Sequence, residues 1–247
     1  GAVPILKMGL ESAEMVKYAS NAFLATKVSY ANEIANVCEQ VLGVDVCEVM
    51  AGVGLDTRIN PRFLNAGAGF GGSCLPKDAK ALCRFSEARG YEAPLLRAVL
   101  AINGGQARHV AQLALSTLSE PKDKKVAILG LSFKPNTDDI REAPSLSIVK
   151  ALMDAGARVS AFDPVVKEIK LTGFEALECA GSVQACLARA HCCVVVTEWE
   201  QFKALTPDDF IEHMAQPVVV DARRIFDPRQ FRDSLRYYAV GLSGDAV

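Results

Sequence analysis

The hydrophobic repeat of this chain changes once, near residue 120, and that change limits what it can fold into. From 13 to about 41 no Pro or Gly interrupts, and apolar residues recur at helical spacing through Met15, Ala19, Ala22, Phe23 and Ile34. Ser12 stands where an N-cap is expected and Gly43 where a helix stops. A second helix is predicted over 45–51, a glycine-dense loop over 60–76, and further helices over 77–89 and 94–118. Beyond a charged, Pro-containing linker at 120–125, short apolar runs alternate with helical stretches. The pattern predicts strands over 126–130, 158–163, 192–197 and 217–221, with helices over 145–155, 183–190 and 206–214. That alternation implies a parallel sheet covered on both faces, with any ligand at the carboxyl ends of its strands.

Composition removes several function classes. With 247 residues, half of them hydrophobic, the chain can bury one large core or two ordinary ones. A net charge of -2 and the lack of a Lys/Arg run argue against nucleic acid. No apolar run approaches the ~20 residues of a membrane span, and residues 1–4 lack the features of a secretory signal, so a cytoplasmic protein is expected. Eight cysteines contain no C-x-x-C pair, and His109, His191 and His213 are scattered. No metal site is expected, and most of the thiols are read as core residues.

One thiol stands apart. Four glycines occupy the seven residues before Ser73, and a helix opens near Pro76, so Cys74 lies at a helix start where free amides and the helix dipole favour a thiolate, with Lys77 adjacent. The glycines would also let a substrate lie against the backbone. On chemistry alone, a glycine-rich turn with an incidental cysteine stays equally open. Lys17 and Asn21, four residues apart, share a helix face and could hold an oxyanion, though a solvated face reads the same way. Asp78 also reads as an ordinary first-turn acid.

Taken together, SAEMVKYASNAFLATK (12–27), FLNAG (63–67), FGGSCLPKD (70–78) and GLSFKPNTDDIRE (130–142) resemble the UDP-glucose and GDP-mannose dehydrogenase family along nearly the whole chain. The resemblance implies oxidation of a sugar C6 alcohol to a carboxylate in two hydride transfers to NAD, through a thioester on Cys74. It implies that Lys17 and Asn21 stabilise the oxyanion and hold substrate, and that Asp78 orders the lysine and a water. Substrate contacts are implied for Phe63, Leu64, Asn65, Ala66, Gly67, Gly71, Phe133, Lys134 and Arg223, with Arg58 reaching the neighbouring subunit's substrate. Lys77 and Arg141 are implied to contact NAD. The partners implied are a UDP-sugar and a second copy of the chain.

The fold implied is α/β: an all-helical dimerisation domain over 11–118 and a Rossmann-like parallel-sheet UDP-sugar-binding domain over 119–247. Residues 1–10 are expected to be the remnant of an N-terminal NAD-binding domain, with its last strand at 4–8, and that domain itself is expected to be absent. Gly130-Leu-Ser is not the G-x-G-x-x-G of a dinucleotide turn. A second departure is Asp221-Ala-Arg223 where the family often has Asp-Gly-Arg, which leaves the role of Arg223 less secure. The expected function is that of a UDP-glucose-oxidising enzyme fragment, inactive by itself. The alternatives are a GDP-mannose or related nucleotide-sugar enzyme, and a non-catalytic sugar-nucleotide-binding module.

Overall fold

The computed structural model describes residues 3–244 and divides where the hydrophobic repeat changes. The helical part comprises α1 (Leu10–Cys38), α2 (Val46–Gly54), α3 (Leu75–Glu87) and α4 (Pro94–Ser116). In α1 the buried positions Ala22, Ala25, Ser29 and Asn32 run at spacings of three and four, and Ala31, Ala35 and Cys38 continue them. Every one is small or compact, which lets α1 lie close against α3 and α4. Asp45 caps α2, its Oδ1 accepting from the Cys47 amide at 2.7 Å.

The second part is a sheet of β1 (Lys125–Leu129), β2 (Arg158–Phe162), β3 (Glu178–Cys179), β4 (Cys192–Val195), β5 (Val218–Asp221) and β6 (Arg236–Ala239). All its pairings are parallel, in the order β3-β2-β1-β4-β5-β6. Helices α5 (Pro144–Asp154), α6 (Val183–Leu187), α7 (Glu200–Lys203), α8 (Pro207–His213) and α9 (Pro228–Arg232) complete the chain. Strand residues alternate between two cores. Val126, Ile128, Cys192 and Val194 face one side, with Ile148, Val149 and Leu152 of α5 and Val110, Ala111 and Ala114 of α4. Ala127, Leu129, Cys193 and Val195 face the other, with Phe202, Phe210 and Phe231. Helix α4 therefore serves both parts, its first half beside α1 and its second half on the sheet.

Several expectations need correction. Residues 4–8 form no strand; they are exposed, with no neighbouring strand among the described residues to pair with. Helix α1 begins at Leu10 with Gly9 as its N-cap, so Ser12 lies inside the first turn. Strands β3 and β6 and helices α7 and α9 were not anticipated. No helix of the described residues is long and apolar enough to cross a membrane.

Candidate active site at the seam

The glycine loop leads from the helical layer to the strand ends of the sheet, and Cys74 is its last residue before α3. Gly69 and Gly72 have φ of +99° and +81°, a backbone open to glycine at little cost. The loop rests directly on the sheet part. The Ala68 amide donates to the Ala222 carbonyl at 3.0 Å, and the Gly72 amide to the Arg141 carbonyl at 2.9 Å. A Cβ on Gly71 would lie 2.4 Å from the Glu142 carbonyl oxygen, and one on Gly72 2.6 Å from the Phe133 ring. Gly71, Gly72, Phe133 and Arg141 thus form one contact, with the Lys134 ammonium 5.4 Å from the Phe133 ring centre. Cys74 is exposed, within electrostatic reach of Lys17 and Arg141.

On the other side of Cys74, one turn into α3, Asp78 is 1% exposed. Lys17 donates to its Oδ2, Asn21 Nδ2 donates to the same oxygen at 2.6 Å, and the Lys77 ammonium lies 3.4 Å from Oδ1. Burial opposes ionisation of Asp78, yet the Lys17 and Asn21 hydrogen bonds hold it below the usual carboxylate range. The hydrogen bond to Asp78 raises Lys17 in return. The i, i+4 pair on α1 therefore grips a carboxylate of this chain, with Lys17 otherwise open to solvent.

The other sequence candidates divide into two groups. Leu64, Ala66 and Gly67 are buried and Asn65 exposed, while Phe63 is 44% exposed in a left-handed backbone. Arg223 lies against Gly67; its Nε donates to the Val196 carbonyl at 2.6 Å and stands 3.3 Å from Glu198. Burial lowers its pKa against the favourable fields of Glu198 and Asp221. Ala222 needs no glycine, because the left-handed residue here is Arg224. Arg141 is held by Asp139, and Arg58 by Asp56 in an exposed turn away from the Cys74 cluster.

The sequence reading missed Asn32 and Asn103. Asn32 Oδ1 accepts from the Gly67 amide at 2.7 Å, and Asn103 both accepts from the Phe70 amide at 2.8 Å and donates to its carbonyl at 3.1 Å. The available signal for Asn32 was a polar residue among the small residues at helical spacing in α1; Asn103, in α4, offered none.

The strand order of the sheet is that of dinucleotide-binding folds, but its residues do not fit a dinucleotide. Gly130 packs on Thr197, where a Cβ would come within 2.4 Å, and α5 begins only at Pro144. No helix N-terminus therefore follows directly on β1 to meet a pyrophosphate. Asp163, where a ribose-binding acid would follow β2, is already bonded to the amides of Leu131, Ser132, Val165 and Val166 and to Trp199 Nε1. Among the described residues no group of three or more His, Cys, Asp or Glu could hold a metal ion.

Two family models match the chain: the UDP-glucose/GDP-mannose dehydrogenase family central domain over residues 11–104, and the UDP binding domain of the same family over 127–228. A UDP-glucose 6-dehydrogenase of Haloferax volcanii, AglM, is 45% identical over 233 residues, covering 94% of this chain and 53% of that protein. The Bacillus subtilis UDP-glucose 6-dehydrogenase TuaD is 42% identical over 240 residues, 96% of this chain and 52% of that one. A solved UDP-glucose dehydrogenase from Pyrobaculum islandicum superposes with a TM-score of 0.86 at 37% identity, over 98% of this chain and 54% of the other. The chain spans about half the length of the curated relatives it matches.

Proposed function

We propose, from the premise that this chain belongs to the UDP-glucose/GDP-mannose dehydrogenase family, that it supplies the sugar-nucleotide seat and the reacting thiol for oxidation of UDP-glucose to UDP-glucuronate. The observation that carries the proposal is the stacking of Gly72 under Phe133, which joins the Cys74 loop to the strand-end loop bearing Lys134. A cation beside a strand end suits a diphosphate, and Leu64, Ala66 and Gly67 offer a buried wall for the rest of the ligand. A sugar lying between them would bring C6 towards Cys74. Its thiolate would add to the C6 aldehyde, leaving an oxyanion that the Lys17 ammonium and Asn21 amide would stabilise. Loss of the C6 hydride from that adduct to the electron acceptor would leave an acyl group on sulfur, which water would release as the carboxylate, with Asp78 keeping Lys17 oriented.

The electron acceptor in this proposal is NAD, and the turn after β1 is not shaped to hold its pyrophosphate. The apolar side chains Val16, Phe23, Tyr30 and Val37 left open on α1 support a homodimer through the helical layer. Arg58, largely exposed and paired with the half-buried Asp56, would be available to the partner's ligand.

Calorimetry with UDP-glucose and with GDP-mannose, beside an NADH absorbance assay, tests the proposal. UDP-glucose should bind, and Lys134→Ala should weaken it by about tenfold, the size of one lost charge-assisted contact. Preference for GDP-mannose would replace the substrate. Absence of binding to either would overturn the assignment, and NADH production abolished in Cys74→Ala would show a cofactor seat in this chain.

A further inference from the structure

The loop that ends at Cys74 contains four glycines in seven residues, so its own backbone does little to fix its path. On the sheet side it is held by backbone bonds and close packing. On the helix side it is held by two side-chain amides, from residues 71 positions apart. Asn103 of α4 takes both the N–H and the C=O of Phe70, as a neighbouring strand would. A Cβ on Gly69 would lie 2.8 Å from Asn103 Oδ1, so the glycine at 69 is what allows the approach.

Asn32 of α1 is 0% exposed and receives the Gly67 amide, while its Nδ2 finds no partner among the described residues. An apolar residue in the Ala25–Ala35 stripe would avoid that unpaired donor. What the asparagine supplies in exchange is the acceptor for Gly67. Both anchors lie upstream of Gly71 and Gly72, the residues that contact the Phe133 loop, and two residues further on stands Cys74.

We propose that Asn32 and Asn103 are positioning residues for the thiol: together they lock residues 67–70 in the register that seats Gly71 and Gly72 on the sugar-nucleotide loop and presents Cys74 at the start of α3. The proposal rests on the reading of Cys74 as the reacting thiol. It adds that the thiol's environment is set from the helical layer, through two amides that need touch no ligand.

The test compares Asn32→Ala, Asn103→Ala and Ser29→Ala. Ser29 is a buried α1 residue whose hydroxyl donates to the Val99 carbonyl of α4 rather than to the loop. Each variant is followed by amide hydrogen exchange, by melting, and by the pH profile of iodoacetamide labelling at Cys74. Loss of either asparagine should speed exchange at its partner, Gly67 or Phe70, by about tenfold. It should also change the Cys74 labelling profile, because the loop would no longer hold the thiol at one place. Ser29→Ala should lower the melting temperature and leave that profile in place. Should Asn103→Ala fail to fold, Asn103→Asp keeps the acceptor for the Phe70 amide and should show a smaller shift. A Cys74 profile in Asn32→Ala and in the foldable Asn103 variant that superimposes on the unaltered protein, or one moved equally by Ser29→Ala, overturns the proposal. UDP-glucose protection of Cys74 in the unaltered protein is a separate reading. Its absence would count against the assigned site while the exchange data still judged the two anchors.

Discussion

Phe210 and Phe23 are the same side chain in opposite situations. Phe210, on α8, is fully buried and meets Phe226 and Phe231 edge-on at 5.9 Å between ring centres. Phe23, on α1, is 65% exposed, with Val16, Tyr30 and Val37 also open on that helix. The sheet part closes one face with its own helices α6 to α9 and the other with α5 and the second half of α4. The helical part buries mostly alanines and leaves many large side chains, Phe23 among them, outside. One half is finished within the chain and the other is shaped for contact, and the reactive groups collect along the join.

The strongest way to break that comparison is to truncate both rings. Phe210→Ala should cost ~3–5 kcal/mol in chemical denaturation, the usual penalty for an aromatic removed from a packed core. Phe23→Ala, measured where the chain is monomeric, should change stability by about 0.5 kcal/mol or less. It should instead flatten any rise of melting temperature with protein concentration, because association stabilises by mass action. Equal losses in the two variants at low concentration would remove the distinction.

The division between the parts was legible because it rests on period, which is local. So was the Cys74 loop, whose glycines, thiol and helix start are contiguous in sequence. The ordering of Lys17 by Asp78 came only from the family resemblance, and local pattern did not show it, because the grip of Lys17 and Asn21 on Asp78 joins residues 61 and 57 positions apart that only the packing of α1 on α3 brings together. Asn32 and Asn103 escaped for the same reason. Strand β6 is short and carries an exposed Arg236, and β3 is only two residues long, so neither produces an apolar run. The strand expected at 4–8 came from the family resemblance instead, and a strand forms only where a neighbour pairs with it, which the described residues do not supply.

A second test sharpens the comparison at the join itself. After β6 the chain docks on the turn between α1 and α2: the Val46 amide donates to the Gly241 carbonyl at 2.9 Å, and Arg224 pairs with Asp45 at 2.7 Å. Gly241 has φ of +70°, and a Cβ there would lie 2.3 Å from Val46 Cγ1 and 2.8 Å from the Ala35 Cβ. Gly241→Ala should therefore cost ~2–3 kcal/mol through backbone strain and overpacking. It should also uncouple the halves. Trp199, the one tryptophan, reports the sheet part by fluorescence, and helical circular dichroism follows both. The two transitions, coincident in the unaltered protein, should separate in the variant; unchanged midpoints would show that the join does not need this glycine.

The smallest expected effect is electrostatic and lies at the same join. Glu39, at the end of α1, accepts from the Gly241 amide at 2.8 Å and pairs with His109 Nε2 of α4 at 2.9 Å. The hydrogen bond to Glu39 raises the His109 pKa, against an opposing effect of burial. The folded protein thus holds that proton more tightly than the unfolded chain. The stabilisation is complete below about pH 6.5, the unfolded value, and is lost as pH rises through the raised folded value. Because His109 is 31% exposed and neutral imidazole can still donate to Glu39, the loss should be about 1 kcal/mol or less. His191 works in the opposite direction, since burial first and Lys124 next lower its pKa. Its stabilisation is present above about pH 6.5 and is lost on acidification through the lowered value. A bare stability curve for the unaltered protein mixes the two trends. The difference between that curve and the one for His109→Gln cancels His191, and it should fall as pH rises above 6.5. A difference independent of pH would mean that the charge on His109 contributes nothing to holding the finished half against the open one.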